Sequence, residues 1–293
     1  MNDLIATCGL EQSLESDGVD YKGRNFEIVF SELHASGNIA LIARLEDSLF
    51  EYFRTLELPN SPTIYDLLVM SLRPKDLIAT FNWDPLLWLA MGRNHQWTRG
   101  PTVVYLHGNT ALGYCPKDQR IGSLERRCSV CGDIFTRCPL LYPISKKDYA
   151  DDPYISNAWD VLKSHLNHAY ILTIFGYSAP ETDAEAMKYL RDGWGPTHGK
   201  RFSQTEIIDI VDPNELQSAF RPFIHSNHYE VHSNFRESIL AHYPRRSCEA
   251  LWSMFMENHP YNEISIPETD DWNELREWFN PFIRAEAESE TER

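Results

Sequence analysis

Four stretches of this sequence carry polar side chains where they can do chemistry. Asn82-Trp83-Asp84 follows the apolar run Asp76–Phe81, and His107-Gly108 ends the run that begins at Thr102. An Asn amide offers both a donor and an acceptor to a ribose or a water. An imidazole at a strand end, followed by glycine, is suited to accept a proton near neutral pH. Each has a plainer reading. Asp84 before Pro85 is an ordinary helix start, and His107 is one of 11 histidines. The pairing matters more than either member, because neighbouring strands converge their tips on one crevice. Gly176-Tyr177-Ser178 follows Ala169–Phe175 and joins a residue that lets a ligand approach the backbone to a hydroxyl donor. Thr182 or Asp183 can simply cap the next helix. Asp212-Pro213-Asn214 supplies a carboxylate and an amide for a ribose or a base, or makes a plain turn.

The cysteines form a second kind of cluster. Four of the six, Cys115, Cys128, Cys131 and Cys138, fall between residues 115 and 138. Cys128-x-x-Cys131-Gly132 has the knuckle spacing with which two thiolates grip one zinc ion, and Cys115 and Cys138 can close a tetrahedral site. Asp118 is an alternative ligand, and four ordinary thiols are the other reading. A site closed by four protein ligands is structural and keeps no open position for catalysis.

The elements that must position these residues read as alternating strands and helices. Leu4–Thr7, Asp76–Phe81, Thr102–His107, Ala169–Phe175 and Glu206–Val211 are short apolar runs, the last two nearly continuous, as in strands covered on both faces. Ile39–Leu56, Tyr65–Leu72, Pro85–Arg93, Asn157–His168 and Asp183–Arg191 have helical periodicity. The pattern predicts a Rossmann-like, doubly wound α/β fold with a parallel sheet, whose ligands sit at the carboxyl ends of the strands. Residues 1–245 make that domain, with a cysteine-rich zinc insert over about 108–146. Residues 246–293 form a helical extension with an acidic tail, whose aromatic faces pack on the core or serve self-association.

The totals narrow the function classes. The chain of 293 residues is 42% hydrophobic and has 27 Lys+Arg against 43 Asp+Glu, a formal charge of −16. That acidity argues against sequence-independent nucleic-acid binding. No apolar run approaches the roughly 20 residues that span a bilayer, and the first residues lack a secretory signal's basic and apolar regions. A soluble cytoplasmic protein is the expectation.

The order of motifs then carries a resemblance. Phe-Asn-Trp-Asp at 81–84, Leu-His-Gly at 106–108, the cysteine cluster, Tyr-Pro-Ile-Ser-Lys-Lys at 142–147, Gly-Tyr-Ser at 176–178 and Val-Asp-Pro-Asn at 211–214 together resemble the sirtuin-like (Sir2-like) superfamily. The resemblance is strongest to its divergent prokaryotic branch, which includes NAD-cleaving proteins of antiphage defence. It covers roughly residues 70–235. It implies NAD as ligand or substrate, Asn82 and His107 as the catalytic pair at the nicotinamide ribose, and a structural zinc module. Asp84, Gly176 and Ser178 become cofactor-site residues, joined by Asp212 and Asn214 as candidates. Water as acceptor makes an NAD glycohydrolase, and acyl-lysine makes a deacylase. Two departures stand out: Phe81 replaces the family's Gln before the Asn, and no Gly-Ala-Gly-x-Ser loop follows a first strand. Leu4–Thr7 leads instead into Cys8-Gly9-Leu10-Glu11-Gln12. The alternative is therefore a catalytically degenerate module that binds NAD or ADP-ribose and works through a protein partner, with a homo-oligomer as a further option. A third reading makes the insert a nucleic-acid contact through Lys117, Arg120, Arg126, Arg127 and Arg137.

Overall fold

The run expected to begin the sheet is helical. In the computed structural model, which describes residues 2–142, 149, 152–177, 179, 183–195, 200, 202–224, 228–256, 261 and 263–291, Leu4–Thr7 lies within α1 (Asn2–Thr7). Four apolar residues in a row do not declare a period, so packing decides. Ile5, Leu10 and Leu14 bury against α3 (Phe26–Ser36) and α4 (Ile39–Arg54), with α2 (Glu11–Ser16) between them in sequence. The side chains of Asn25 and Asn38 cap α3 and α4 by accepting from Glu27 N at 2.8 Å and Leu41 N at 3.2 Å, which satisfies first-turn donors that the helix leaves unpaired.

From there the alternation follows the expected order. After α5 (Ile64–Ser71) come β1 (Leu77–Thr80), α6 (Leu86–Asn94) and β2 (Thr102–Tyr105). The fully buried Asp66 of α5 pairs with Arg93 and accepts from Asn94 Nδ2 at 2.8 Å, which ties α5 to α6. β1 and β2 are parallel, in register from Leu77 opposite Thr102 to Thr80 opposite Tyr105. Next comes the insert, a three-stranded antiparallel sheet of β3 (Leu112–Cys115), β4 (Arg120–Ser123) and β5 (Thr136–Arg137) in the order β4-β3-β5. A Cβ on Gly122 would stand 2.3 Å from the Phe135 ring, and one on Gly113 would stand 2.5 Å from Phe135 Cβ, so both positions exclude larger residues. Ion pairs fasten the insert to α4: Arg137 to Asp47 at 2.8 Å and Glu51 at 2.9 Å, and Arg54 to Glu125 at 2.6 Å.

The chain then runs through α7 (Pro153–His168), β6 (Ile171–Phe175), α8 (Ala184–Trp194), β7 (Gln204–Ile208), α9 (Pro213–Phe220) and β8 (Tyr229–His232). β6, β7 and β8 form a parallel three-stranded sheet in that order. Buried residues of α7, among them Ile155, Trp159 and Leu162, join Val104, Trp194, Ile207 and Phe220 in the largest core cluster. α10 (Ile239–His242), α11 (Ser247–Phe255) and α12 (Trp272–Thr291) follow, and Leu275 and Phe279 of α12 bury against Leu67 and Met70 of α5. The fold is thus α/β and Rossmann-like in its parallel strands and intervening helices. One finding departs from the expected single sheet: among the described residues β1 and β2 hydrogen-bond only to each other, and a separate parallel sheet carries β6 to β8. No helix among the described residues is long and apolar enough to cross a membrane.

Candidate functional site

Because β1 and β2 run parallel in register, the residues just past them are neighbours. Leu106 N donates to Thr80 O at 2.9 Å, which carries the ladder one step beyond the strands and leaves Asn82 and His107 at adjacent positions on one edge. The Phe81 ring meets the His107 ring edge-on, with centroids 4.7 Å apart. The two residues are exposed differently. Asn82 faces solvent, its amide near the Asp84 carboxylate and the Tyr65 hydroxyl. His107 is 6% exposed, with Nε2 3.3 Å from the Tyr149 hydroxyl. Burial pushes the Tyr149 phenol above its ordinary range, so it stays protonated beside the imidazole.

Asp84 caps α6, accepting from Leu86 N at 2.9 Å. It is also half-buried, and burial raises its carboxyl above the ordinary carboxylate range, while the Leu86 N–H opposes that shift. The turn it occupies is fastened to the turn after β2. Thr110 donates to Trp83 O through its backbone N–H at 2.8 Å and its hydroxyl at 3.0 Å. Asn109 donates its amide to Asp84 O and accepts from Ala111 N at 2.9 Å. Asn109 and Thr110 are fully buried. Gly108 has φ +83°, and a Cβ there would stand 2.0 Å from Pro139 O. Sequence reasoning missed Asn109, Thr110 and Tyr149. Two consecutive polar residues after the His-Gly pair were a signal for the first two; nothing marked Tyr149.

The other strand ends are more open. Gly176, exposed with φ +61° and open space where a Cβ would go, donates its N–H to Ile208 O at 2.9 Å. Its conformation, not crowding, explains the glycine there. Tyr177 stacks on Phe81 with centroids 4.4 Å apart and planes 10° from parallel, so the ends of β1 and β6 meet at the same edge. Ser178 lies outside the described residues. Asp212 caps α9, accepting from Asn214 N at 2.9 Å, and both side chains are exposed past β7. The sheet edge therefore brings Asn82, His107 and Asp84 together, places Gly176 across the Phe81–Tyr177 stack, and leaves Asp212 and Asn214 farther along.

Cys115, Cys128, Cys131 and Asp118 hold their ligand atoms within 4.8 Å of one another. Cys138 is not in this group. It follows β5 with its side chain in the main core, near Tyr154, where burial pushes the thiol up to about 12. The Cys115 and Cys131 sulfurs are 3.5 Å apart, and Cys128 Sγ is 3.1 Å from Asp118 Oδ2. Metal–sulfur bonds of about 2.3 Å in a tetrahedron set ligands roughly 3.8 Å apart, so three thiolates and a carboxylate suit one ion with little adjustment. Gly132, at φ +77°, returns its N–H to Cys128 O at 3.0 Å and makes the knuckle.

The chain is similar in structure to sirtuins. A Sir2 homologue in complex with NAD matches at 13% identity and a TM-score of 0.37, over 74% of this chain and 75% of that one. A Sir2 bound to an inhibitor, 2′-O-acetyl-ADP-ribose and a deacetylated peptide matches at 14% and 0.39, over 72% and 80%. A Sir2 homologue mutant with ADP-ribose matches at 13% and 0.39, over 84% and 79%. No family model and no curated protein matches the chain.

Proposed function

We propose that this chain is a sirtuin-like protein that binds NAD at the carboxyl edge of β1, β2 and β6 and hydrolyses its nicotinamide–ribose bond. One observation carries the reading: the β1–β2 register sets Asn82 beside His107 past adjacent parallel strands, where doubly wound folds take their ligands. The motif order across residues 81–214 supports it. In this reading the bond between C1′ and the nicotinamide nitrogen breaks and its electron pair leaves with nicotinamide. A water oxygen bonds to C1′, and the proton lost from that water goes to His107. Asn82 orients the ribose or the water by hydrogen bonds, and a water held in place supplies the entropic part of the acceleration. Asp84 holds the turn that aims Asn82, while Gly176, Ser178, Asp212 and Asn214 are assigned to the remainder of the ligand. Cys115, Cys128, Cys131 and Asp118 are assigned a structural zinc ion, with Cys138 left in the core. A role in antiphage defence and a cytoplasmic location belong to the same proposal.

Nicotinamide release from NAD tests it. The purified chain should release nicotinamide, and His107→Ala should lower the rate by about 10²–10⁴-fold in protein that remains folded. Release that persists in His107→Ala, or is absent in the folded wild type, sinks hydrolysis at this site. The second reading, a ligand-binding module without turnover, is favoured by a specific observation: Leu4–Thr7 is helical, so no glycine-rich turn after a first strand faces the edge among the described residues. Calorimetry that detects ADP-ribose or NAD without nicotinamide release decides for that module. For the insert, metal analysis should find zinc in proportion to protein, lost in Cys128→Ser and retained in Cys138→Ser.

A further inference from the structure

His107 is held by more than its own turn. Its ring stacks on that of Tyr149 with planes 17° apart, and Nε2 lies 3.3 Å from the Tyr149 hydroxyl. Tyr149 is itself 3% exposed. Burial first, and then the negative charges of Asp183 and Glu185, hold its phenol above the ordinary range, so it keeps its hydrogen. The two carboxylates differ in weight. Glu185 is exposed and its charge is screened, whereas Asp183 is 4% exposed and its charge is screened much less.

Asp183 is placed at a cost. It stands at the N-cap of α8, where an Asp side chain ordinarily accepts from first-turn N–H groups, yet its carboxylate makes no such bond. It turns inward instead and accepts from the Tyr177 hydroxyl at 3.3 Å. Desolvating a carboxylate is expensive, and the forgone cap adds to that expense. A merely structural acid at this position would cap the helix. The same groups close a ring of contacts around the imidazole, because Tyr177 stacks on Phe81 and Phe81 meets His107 edge-on. Trp159 of α7 and Tyr189 of α8 also pack on Tyr149. The titratable groups here are thus Tyr149, Asp183, Glu185, Tyr177 and Tyr189. The turn past β1 presents the uncharged Phe81, with Asp84 on that same turn, and α7 presents the uncharged Trp159.

A phenol between imidazole and carboxylate couples the two. When His107 takes a proton, both ring nitrogens carry hydrogen, so Nε2–H donates to the Tyr149 oxygen. The phenol hydrogen then turns toward the carboxylate charge. No proton leaves Tyr149 and none reaches Asp183; the hydroxyl only rotates. In hydrolytic triads a buried carboxylate bonds to the imidazole directly and stabilises its protonated form. We propose that Asp183 does this for His107 through Tyr149, the two acting as positioning residues for the imidazole that takes the water's proton. The arrival of that proton rests on the NAD-hydrolysis reading. The coupling of Asp183 to the imidazole does not.

Nitrogen-15 NMR of the histidine-labelled chain without NAD reads the coupling, the His107 signal being the one lost in His107→Gln. Asp183→Asn keeps the shape of the side chain and removes its charge, and should lower the midpoint at which His107 takes a proton by about one pH unit. Tyr149→Phe removes only the hydroxyl and should lower the midpoint by a similar amount. The double variant should fall no further than the larger single change, because both cut one path. Each single variant is a test on its own, so misfolding of one leaves the other. Three results overturn the proposal: a wild-type ring that takes no proton while the protein stays folded, an unmoved or raised midpoint in either folded variant, or additive shifts, which would mean that Asp183 acts without Tyr149. Where nicotinamide is released, the acidic limb of its rate against pH should move down with the NMR midpoint, and a stationary limb overturns the pair's part in the reaction. Midpoints that move as expected in protein that releases no nicotinamide keep the coupling and sink NAD hydrolysis alone.

Discussion

The turns after β2 and after β7 both begin where a parallel strand ends, yet they are held in different ways. Past β2, Gly108 presses against Pro139 O, and the buried Asn109 and Thr110 reach across to the carbonyls of Asp84 and Trp83. Past β7, Asp212 and Asn214 bond to each other in the open. The first turn is fixed by residues distant in sequence, and the second by its own neighbours. A group that must hold a reacting water needs its position set from several directions, and the turns past β1 and β2 are held across to each other while the turn past β7 is not. The difference supports the proposal that gives the chemistry to Asn82 and His107 rather than to Asp212 and Asn214.

The contrast can be broken most directly at its glycines. Gly108→Ala should cost more than about 3 kcal/mol in urea unfolding, since it combines a left-handed backbone with a steric overlap. Gly176→Ala, left-handed but unobstructed, should cost about 1 kcal/mol. Equal losses would remove the distinction. A smaller effect is expected from Asn109→Ala, about 2 kcal/mol because buried partners lose their bonds, against less than about 0.5 kcal/mol for the exposed Asn214→Ala. The smallest is a pH effect at Asp84. Its carboxyl sits above the ordinary range because it is half-buried, so its contribution to stability is full at low pH and declines as pH rises through its folded-state value. Asp84→Asn keeps an acceptor for Leu86 N and cannot ionise. The melting temperature of Asp84→Asn relative to wild type should therefore climb between about pH 4 and pH 7; a flat difference would show that the carboxyl is not strained by burial.

Much of this arrangement was legible beforehand. Asp76–Phe81 and Ala169–Phe175 announce strands by composition, although both strands are only half-buried, and the polar residues after them are evident. What failed did so for physical reasons. Leu4–Thr7 has the composition of a strand and too few residues for a period, so the burial of Ile5 and Leu10 against α3 and α4 settles it as helix. Counting cysteines selected Cys138, but a thiol two residues past Thr136 of β5 can turn inward to the core, and the turn between β3 and β4 brings Asp118 to the sulfurs instead. The division of the strands into two sheets had no signature at all, because pairing depends on which edges meet.

The ion pairs between the cysteine insert and α4 have a mechanical consequence. Arg137, Asp47, Glu51, Arg54 and Glu125 are all substantially solvent-exposed, so each bridge contributes about 0.2–1 kcal/mol and is screened beyond about 8 Å at physiological ionic strength. The ionic part of the contact between the insert and α4 therefore weakens as salt is raised, while the packing of Arg137 on the Phe50 ring is left in place.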